Sequence, residues 1–578
     1  MAKFLIGLIT GVILTILLAI VIVFSAARFG TEKRAVIEAN STLLLQLEGD
    51  IPERPPVEIP VPFLDQQTRS TVKDVWEVLR KAAVDSRIKA VVLEPRNLDV
   101  GWAKLEELRA DLEQFRKSGK PLIAYLKDPG TREYYLATTA DRIYMGPEEF
   151  LDLKGLRAEI MFFRGTLDKL GVQMEVEHAG KYKDYGDMFS RTDMSPETKE
   201  VLNSILDDVY GRLIGVIAAA RKKSPEEIRA TIDEGPFLAE QAVSKGLVDS
   251  LMYEDQMFGE LEARLKSGDL KKVSHGEYSK VTPASLNLEG KPRLAFLVGQ
   301  GGITRGDPND DGLNDDGITA EGFNKLLRRI GNDRNIRGVI VRIDSPGGDP
   351  TASDDIWREM NALSKKKPLV ISMSDAAASG GYYIAMTGDP IVAYPGTFTG
   401  SIGVVFSKPN LHGLFNKLGI TLDSLTRGRF ADIDSLDRPL SPAGREKLRQ
   451  RIDDTYRVFV SRVAEARKRP GAEVEPLAQG RVWLGSQAKP RGLVDELGGI
   501  DRAIDLVKEK AKIGKQEKVT IVTYPARRSI LDYALGRNAE SELGSRFPAL
   551  GKILNNWQNR LLIRGGLLRI MPYTIDIR

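Results

Sequence analysis

The 578-residue chain has no cysteine and only three histidines, His178, His275 and His412. The first absence removes disulfides, thiol nucleophiles and cysteine-ligated metal sites together. None of the histidines sits in an HExxH or comparable ligand spacing, which leaves zinc binding and histidine-based catalysis without support. His178 precedes the run Gly180-Lys181-Tyr182-Lys183 and reads as structural or surface. Charge of one sign is lacking as well. Lys and Arg total 84 against 80 Asp and Glu, and a net charge of +4 gives no footprint for nucleic acid. The acidic run Asp307, Asp310, Asp311, Asp315 and Asp316 lacks calcium-loop spacing and reads as a solvated loop. No cofactor and no metal are expected.

Long apolar runs are scarce too, with one exception. Residues 4–24 are uncharged and almost wholly apolar, and at about 1.5 Å per residue they are long enough to cross a hydrocarbon core of about 30 Å. The run exceeds the roughly 7–15 apolar residues of a cleaved signal peptide, so it reads as an uncleaved signal anchor. Lys3 before it, and Arg28, Lys33 and Arg34 after it, leave its orientation undecided.

The body of the chain is one domain written twice. At a constant offset of 248, Ile88 matches Ile336, Tyr134-Tyr135 matches Tyr382-Tyr383, Asp141 matches Asp389, Pro147 matches Pro395, and Lys169-Leu170-Gly171 matches Lys417-Leu418-Gly419. Within each copy short apolar runs alternate with helical patterns. In the second, strands are expected over residues 338–343, 369–373 and 391–394, and helices over 353–364 and 380–386. This alternation predicts βαβ units and an α/β fold with a largely parallel sheet. The expected layout is a first copy over 41–265, a polar linker over 266–290, a second copy over 291–512 and a carboxy-terminal extension over 513–578. In that extension residues 561–563 and 567–571 mix apolar and basic side chains. A membrane-surface segment, core packing and an oligomer contact all fit them.

The two copies differ where chemistry would need them to. Asp344-Ser345-Pro346-Gly347-Gly348 follows a strand, and its paired glycines would let backbone N–H groups approach an oxygen. The first copy has Asp99 and Val100 in place of Gly347 and Gly348, so the fold itself does not require the glycines. Ser379, in Ala378-Ser379-Gly380-Gly381-Tyr382-Tyr383, lies where strand gives way to helix. Alone it would be an N-cap. Its first-copy counterpart, however, is Thr131, followed by Arg132-Glu133 instead of two glycines. A serine hydroxyl needs a base to attack. With the histidines badly placed, a lysine made neutral by burial is the alternative. Lys183 faces Ala431 in the register, whereas Lys181 faces a retained basic residue, Arg429. One copy therefore keeps a serine without the lysine, and the other a lysine without the serine.

Together the anchor, the duplication, Asp344-Ser345-Pro346-Gly347-Gly348, Ala378-Ser379-Gly380-Gly381-Tyr382-Tyr383, Thr399-Gly400-Ser401-Ile402-Gly403 and Tyr182-Lys183 resemble the long, tandem form of the signal peptide peptidase A, or protease IV, family. The match runs from about residue 40 to residue 512. The resemblance implies two tandem ClpP/crotonase-like domains behind one transmembrane helix, and a serine endopeptidase with a Ser-Lys dyad. Ser379 would be the nucleophile, Lys183 the general base and acid, Ser401 the residue that orients the lysine, and Gly347, Gly348 and Gly380 the oxyanion hole. In the register Ser401 faces Leu153, and shaping the turn from Gly400 to Gly403 is an alternative role for it. The resemblance further implies peptide substrates in the form of spent signal peptides, a homotetramer, and catalytic domains on the periplasmic or extracytoplasmic side of the bacterial plasma membrane. Two rival readings are a crotonase-type acyl-CoA enzyme, which would place carboxylates at the site, and a catalytically dead membrane scaffold.

Overall fold

The computed structural model describes residues 37–55, 70–266, 269–306, 317–526, 566–571 and 577, together with positions 7, 11 and 15. The expected anchor over residues 4–24 therefore lies, apart from three positions, outside the described residues, as do Asp307, Asp310, Asp311, Asp315, Asp316 and residues 561–563. Among the described residues no helix is long and apolar enough to cross a membrane.

The first copy builds a parallel sheet from β1 (Ser41–Glu48), β2 (Ile88–Arg96), β3 (Leu122–Leu126) and β4 (Arg142–Met145), continued by β6 (Ser250–Leu251) and β7 (Lys271–Ser274) in the order β6-β4-β3-β2-β1-β7. Leu43, Leu45, Val91, Val92 and Leu93 are all buried. Such continuous apolar runs are what a sheet covered on both faces demands. The second copy repeats the plan with β8 (Arg293–Gln300), β9 (Ile336–Ser345), β11 (Leu369–Ala378), β12 (Phe398–Gly400), β14 (Val482–Leu484) and β15 (Thr520–Tyr524), in the order β14-β12-β11-β9-β8-β15. All neighbours in these two paths are parallel except β12 and β14.

The duplication is also written in the helices. Each copy has a 26-residue helix, Pro196–Arg221 in the first and Pro442–Arg467 in the second. Each starts with a Ser N-cap followed by proline and ends on a lysine in the left-handed conformation, Lys222 or Lys468.

Two stretches depart from the expected layout. The polar residues 266–290 contain β7, which pairs with β1, and a short helix, His275–Ser279, whose Tyr278 is buried and donates to Asp85 Oδ2 at 3.1 Å. The same offset of 248 carries Lys271–Ser274 onto residues 519–522, of which 520–522 fall on β15. Both copies thus close one sheet edge with a strand from beyond the expected boundary. These edge strands are short and rich in lysine and threonine, a composition that protects an edge and hides its periodicity.

A third sheet joins the copies. In it β5 (Gln173–Ala179) of the first copy runs antiparallel to β13 (Val404–Asn410) of the second, with Ala179 opposite Val404 and Gln173 opposite Asn410. Beyond β13 come β16 (Gly566–Ile570) from the carboxy-terminal extension and β10 (Gly347–Gly348). The turns that leave β5 and enter β13 are thereby brought face to face.

Candidate active site

Strand β11 is longer than expected, because the small residues 375–378 continue it instead of turning. Ile343 lies opposite Met373 and Ser345 opposite Ala377, so residues 374–376 bulge against the single residue Asp344. A bulge re-aims the residues that follow it. Those residues include Ser379, whose backbone at φ 53 and ψ −113 is neither helical nor extended. A non-glycine residue holds such a conformation only where its surroundings over-determine it. Here the Ser379 N–H donates to the Gly400 carbonyl at 2.8 Å, and the Ser379 carbonyl accepts from the Tyr383 N–H at 2.8 Å.

The first copy pins the bulge. Helix α2 (Trp102–Arg116), the second helix of that copy after α1 (Val72–Val84), begins at Gly101 and has no side-chain cap of its own. Asp375 supplies one from the other copy, accepting from the N–H groups of Gly101 and Lys104 at 2.9 Å each. Lys104 Nζ then reaches Asp344 at 2.9 Å and Asp375 at 3.7 Å, while Asp344 Oδ1 accepts from the Ala376 N–H at 3.1 Å. Burial pushes Asp375 up to about 6, opposed by Lys104. Burial also acts to lower the Lys104 pKa, but the surrounding carboxylates outweigh it and the net shift is upward. Gly101 must be glycine, since a Cβ there would lie 2.4 Å from the Asp375 carboxyl carbon.

Lys183 follows β5 through Gly180, which sits at φ 108. The Tyr182 N–H donates to the Gln479 carbonyl at 2.7 Å, which ties this loop to the second copy. Two second-copy glycines make room for the lysine stem. A Cβ on Gly480 would lie 2.6 Å from Lys183 Cβ, and one on Gly403 would lie 3.0 Å from Lys183 Cδ. Lys183 Nζ comes within 2.8 Å of Ser379 Oγ, 2.8 Å of Ser401 Oγ and 2.9 Å of the Ser401 carbonyl. All three residues are 0% exposed. Burial holds the Lys183 amine well below the usual lysine range; Asp184 opposes the shift and the Arg569 charge adds to it. Asp184 is itself pushed up to about 6 by burial, with the Thr198 hydroxyl donating to it.

Two of the three candidate oxyanion glycines also meet. Gly347 at φ 102 packs so closely on Gly380 that a Cβ on it would lie 2.6 Å from the Gly380 nitrogen. The Gly347 N–H donates to Ser345 Oγ at 3.1 Å. The replaced positions lie elsewhere: Leu153 is buried in the first core and Ala431 is exposed. His178 is exposed, with Nδ1 3.0 Å from the Gly180 carbonyl, and takes no part.

Sequence reasoning missed Lys104, Asp375, Gly480 and the approach of β16. Lys104 sits in Lys104-Leu105-Glu106-Glu107, which reads as solvated helix surface; only the second copy's cover buries it. Replacing it by methionine strands two largely covered carboxylates, Asp344 and Asp375. Lys104→Met should cost about 3–5 kcal/mol, read as a lower denaturant midpoint at unchanged slope. Adding Asp344→Asn and Asp375→Asn should recover most of that loss, and an unchanged midpoint in the single variant would contradict the pairing.

The model of peptidase family S49 matches residues 114–267 and again residues 361–514, one match in each copy. A chloroplastic serine protease SPPA from Arabidopsis thaliana is 36% identical over 84% of this chain and 72% of its own length. Protease 4 of Salmonella typhi is 29% identical over 86% of this chain and 82% of its own. Among solved structures, a ClpP1 mutant from Listeria monocytogenes aligns over 36% of this chain and 94% of its own, at 16% identity and a TM-score of 0.23. With a buried serine and lysine in contact between two copies that each match the family, the chain belongs to peptidase family S49 and is a serine peptidase.

Proposed function

We propose that the protein is a membrane-anchored endopeptidase in which Ser379 is the nucleophile and Lys183 the general base. The observation that carries this reading is the 2.8 Å contact between Lys183 Nζ and Ser379 Oγ, made where burial favours the neutral amine. The neutral amine takes the proton of Ser379 Oγ as the oxygen attacks the peptide carbonyl. The resulting alkoxide is stabilised by N–H groups from Gly380 and from Gly347 or Gly348. The lysine ammonium then gives its proton to the leaving amine as the C–N bond breaks. A water molecule, deprotonated by the same amine, releases the acyl group from Ser379. Ser401 fixes the amine through both its hydroxyl and its carbonyl, a positioning role. Residues 4–24 would hold the enzyme in the bilayer, where spent signal peptides remain, with its domains on the periplasmic or extracytoplasmic side.

The assembly we propose is a ring of identical chains. Within one chain β5 pairs with β13. The 248 offset carries β5 onto residues 421–427 and β13 onto residues 156–162. Neither segment forms a strand among the described residues, and the second has only an isolated bridge from Ala158 to Ile577. Around these segments Leu422, Leu425 and Met161 are 53%, 92% and 72% exposed. Pairing residues 421–427 of one chain with 156–162 of the next is a head-to-tail contact, and such contacts make a ring where the rotation between neighbours closes and a filament where it does not. Four chains, the number implied by the family resemblance, would close this one.

Ser379→Ala and Lys183→Ala should each lower kcat at least about a thousandfold in peptide hydrolysis, with thermal stability retained. Full activity in either variant would refute the dyad. The base must be neutral, so kcat/KM should rise with pH as Lys183 loses its proton, with a midpoint below the ordinary lysine value of about 10.4. A midpoint at or above that value would contradict a buried amine. For the assembly, Leu422→Glu with Leu425→Glu should reduce the mass in sedimentation to that of one chain. An unaltered oligomer would place the interface elsewhere.

A further inference from the structure

The turn that carries Lys183 is held by one residue of the other copy. Within this turn the Lys183 N–H donates back to the Gly180 carbonyl at 3.1 Å. The N–H groups of Lys181 and Tyr182 leave the turn for Gln479: Lys181 donates to Gln479 Oε1 at 3.1 Å, and Tyr182 donates to the Gln479 carbonyl at 2.7 Å. Gly180 lies so close that a Cβ on it would sit 2.5 Å from the Gln479 carbonyl carbon. On its other side the same segment grips the turn of Ser401. The Gly480 N–H donates to the Ile402 carbonyl and the Ser401 N–H to the Arg481 carbonyl, both at 2.8 Å. Residues 479–481 thus stand between the turn that carries the amine and the turn whose hydroxyl and carbonyl fix it.

Gln479 is in turn fixed by its own neighbours. It holds a left-handed backbone at φ 55, and its N–H and Nε2 both donate to the Tyr456 hydroxyl oxygen at 3.2 Å. Nε2 also donates to Glu475 Oε1, which accepts from the Tyr456 hydroxyl at 2.8 Å. Only one orientation of the amide serves these partners. Reversed, its oxygen would face the Glu475 carboxylate and its NH2 would face the Lys181 N–H. The second copy shows what the grip adds. At the offset of 248 the counterpart turn closes with the same bond, from the Ala431 N–H to the Gly428 carbonyl at 3.3 Å, although both of these residues are exposed. The turn needs no buried partner to form, so the contribution of Gln479 is to decide where it stands.

We propose that Gln479 is a positioning residue for peptide hydrolysis, its side-chain amide and main-chain carbonyl together setting the Lys183 amine in register with Ser379 and Ser401. Gln479 acts through the turn and touches no reacting atom. A displacement of about 1 Å at a catalytic group costs on the order of a hundredfold in rate, so a side chain outside the dyad has a large effect when it sets that distance. This rests on Lys183 being the base.

The test is the pH profile of peptide hydrolysis by the full chain. Gln479→Met keeps the length of the side chain and removes its hydrogen bonds, so the turn loosens, water reaches the amine and its pKa moves up toward the ordinary lysine value. The midpoint of kcat/KM should rise by about one pH unit and kcat should fall about tenfold, with KM within about twofold of wild type. Asp184 and Arg569, the charged groups that act on the amine, are unchanged in this variant. Gln479→Glu sets a second carboxylate against Glu475 and should also lower kcat. Adding Glu475→Gln exchanges the amide and the carboxylate, leaves each contact with a donor and an acceptor, and should recover most of that loss. A merely structural residue would reduce the amount of folded enzyme and leave the midpoint in place. An unshifted midpoint in folded Gln479→Met overturns the proposal, and so does failure of the exchanged pair to recover kcat. If Gln479→Met melts early, Tyr456→Phe removes the hydroxyl that fixes the amide: a raised midpoint there supports the proposal, and an unshifted one overturns it. Full activity of Lys183→Ala would instead refute the base reading on which the proposal stands.

Discussion

A lysine amine stripped of water and held 2.8 Å from a serine hydroxyl is the constraint on which the site depends. An amine in water is protonated at neutral pH and cannot accept the serine's proton. Desolvation removes that obstacle but obliges the surroundings to hold the amine without a carboxylate salt bridge, which would restore its charge. The protein meets this with neutral partners, the hydroxyl and carbonyl of Ser401, and with two glycines, Gly403 and Gly480, that admit the stem. Each of these comes from the second copy, whereas the lysine comes from the first. The burial that tunes the lysine is a property of the junction, not of either domain.

The same junction holds Ser379, the proposed nucleophile. Ser379 sits in a backbone conformation that its own sequence does not favour, at the end of a bulge braced by Asp375 on the first turn of α2 and by Lys104. Deeper in the interface Arg342, 0% exposed, bridges Glu53 and Glu107 of the first copy and donates to Ser372 of its own at 3.0 Å. Buried charges stranded by separation cost several kcal/mol each, so the copies are held in one relative placement. Duplication has let one copy supply Lys183, the proposed base, and brace the bulge, while the other keeps the serine and the glycine turn.

Much of this was legible in the sequence because the chain carries its own comparison. The parallel strands showed as apolar runs, and Ser379 and Lys183 stood out because Thr131 and Ala431 occupy their positions in the other copy. What stayed hidden depends on contacts between segments far apart in sequence. Lys104 and Asp375 look like ordinary surface charges until the partner copy covers them. Gly480 has no motif of its own, and its need for a positive φ appears only when Lys183 lies against it. The strand Gly566–Ile570 is short and carries an arginine, so no periodicity distinguishes a buried strand from a membrane-surface segment. The edge strands Lys271–Ser274 and Thr520–Tyr524 were missed for the same reason: one polar face and few residues.

The central claim is that each site is completed within one chain by its two copies. Co-assembling Ser379→Ala chains with Lys183→Ala chains tests it most directly, since no chain in the mixture carries both groups. The account predicts that the mixed oligomers remain as inactive as either parent. Were the lysine supplied by a neighbouring chain, random equimolar assembly would restore about a quarter of the wild-type sites, and recovery of that size would contradict the account.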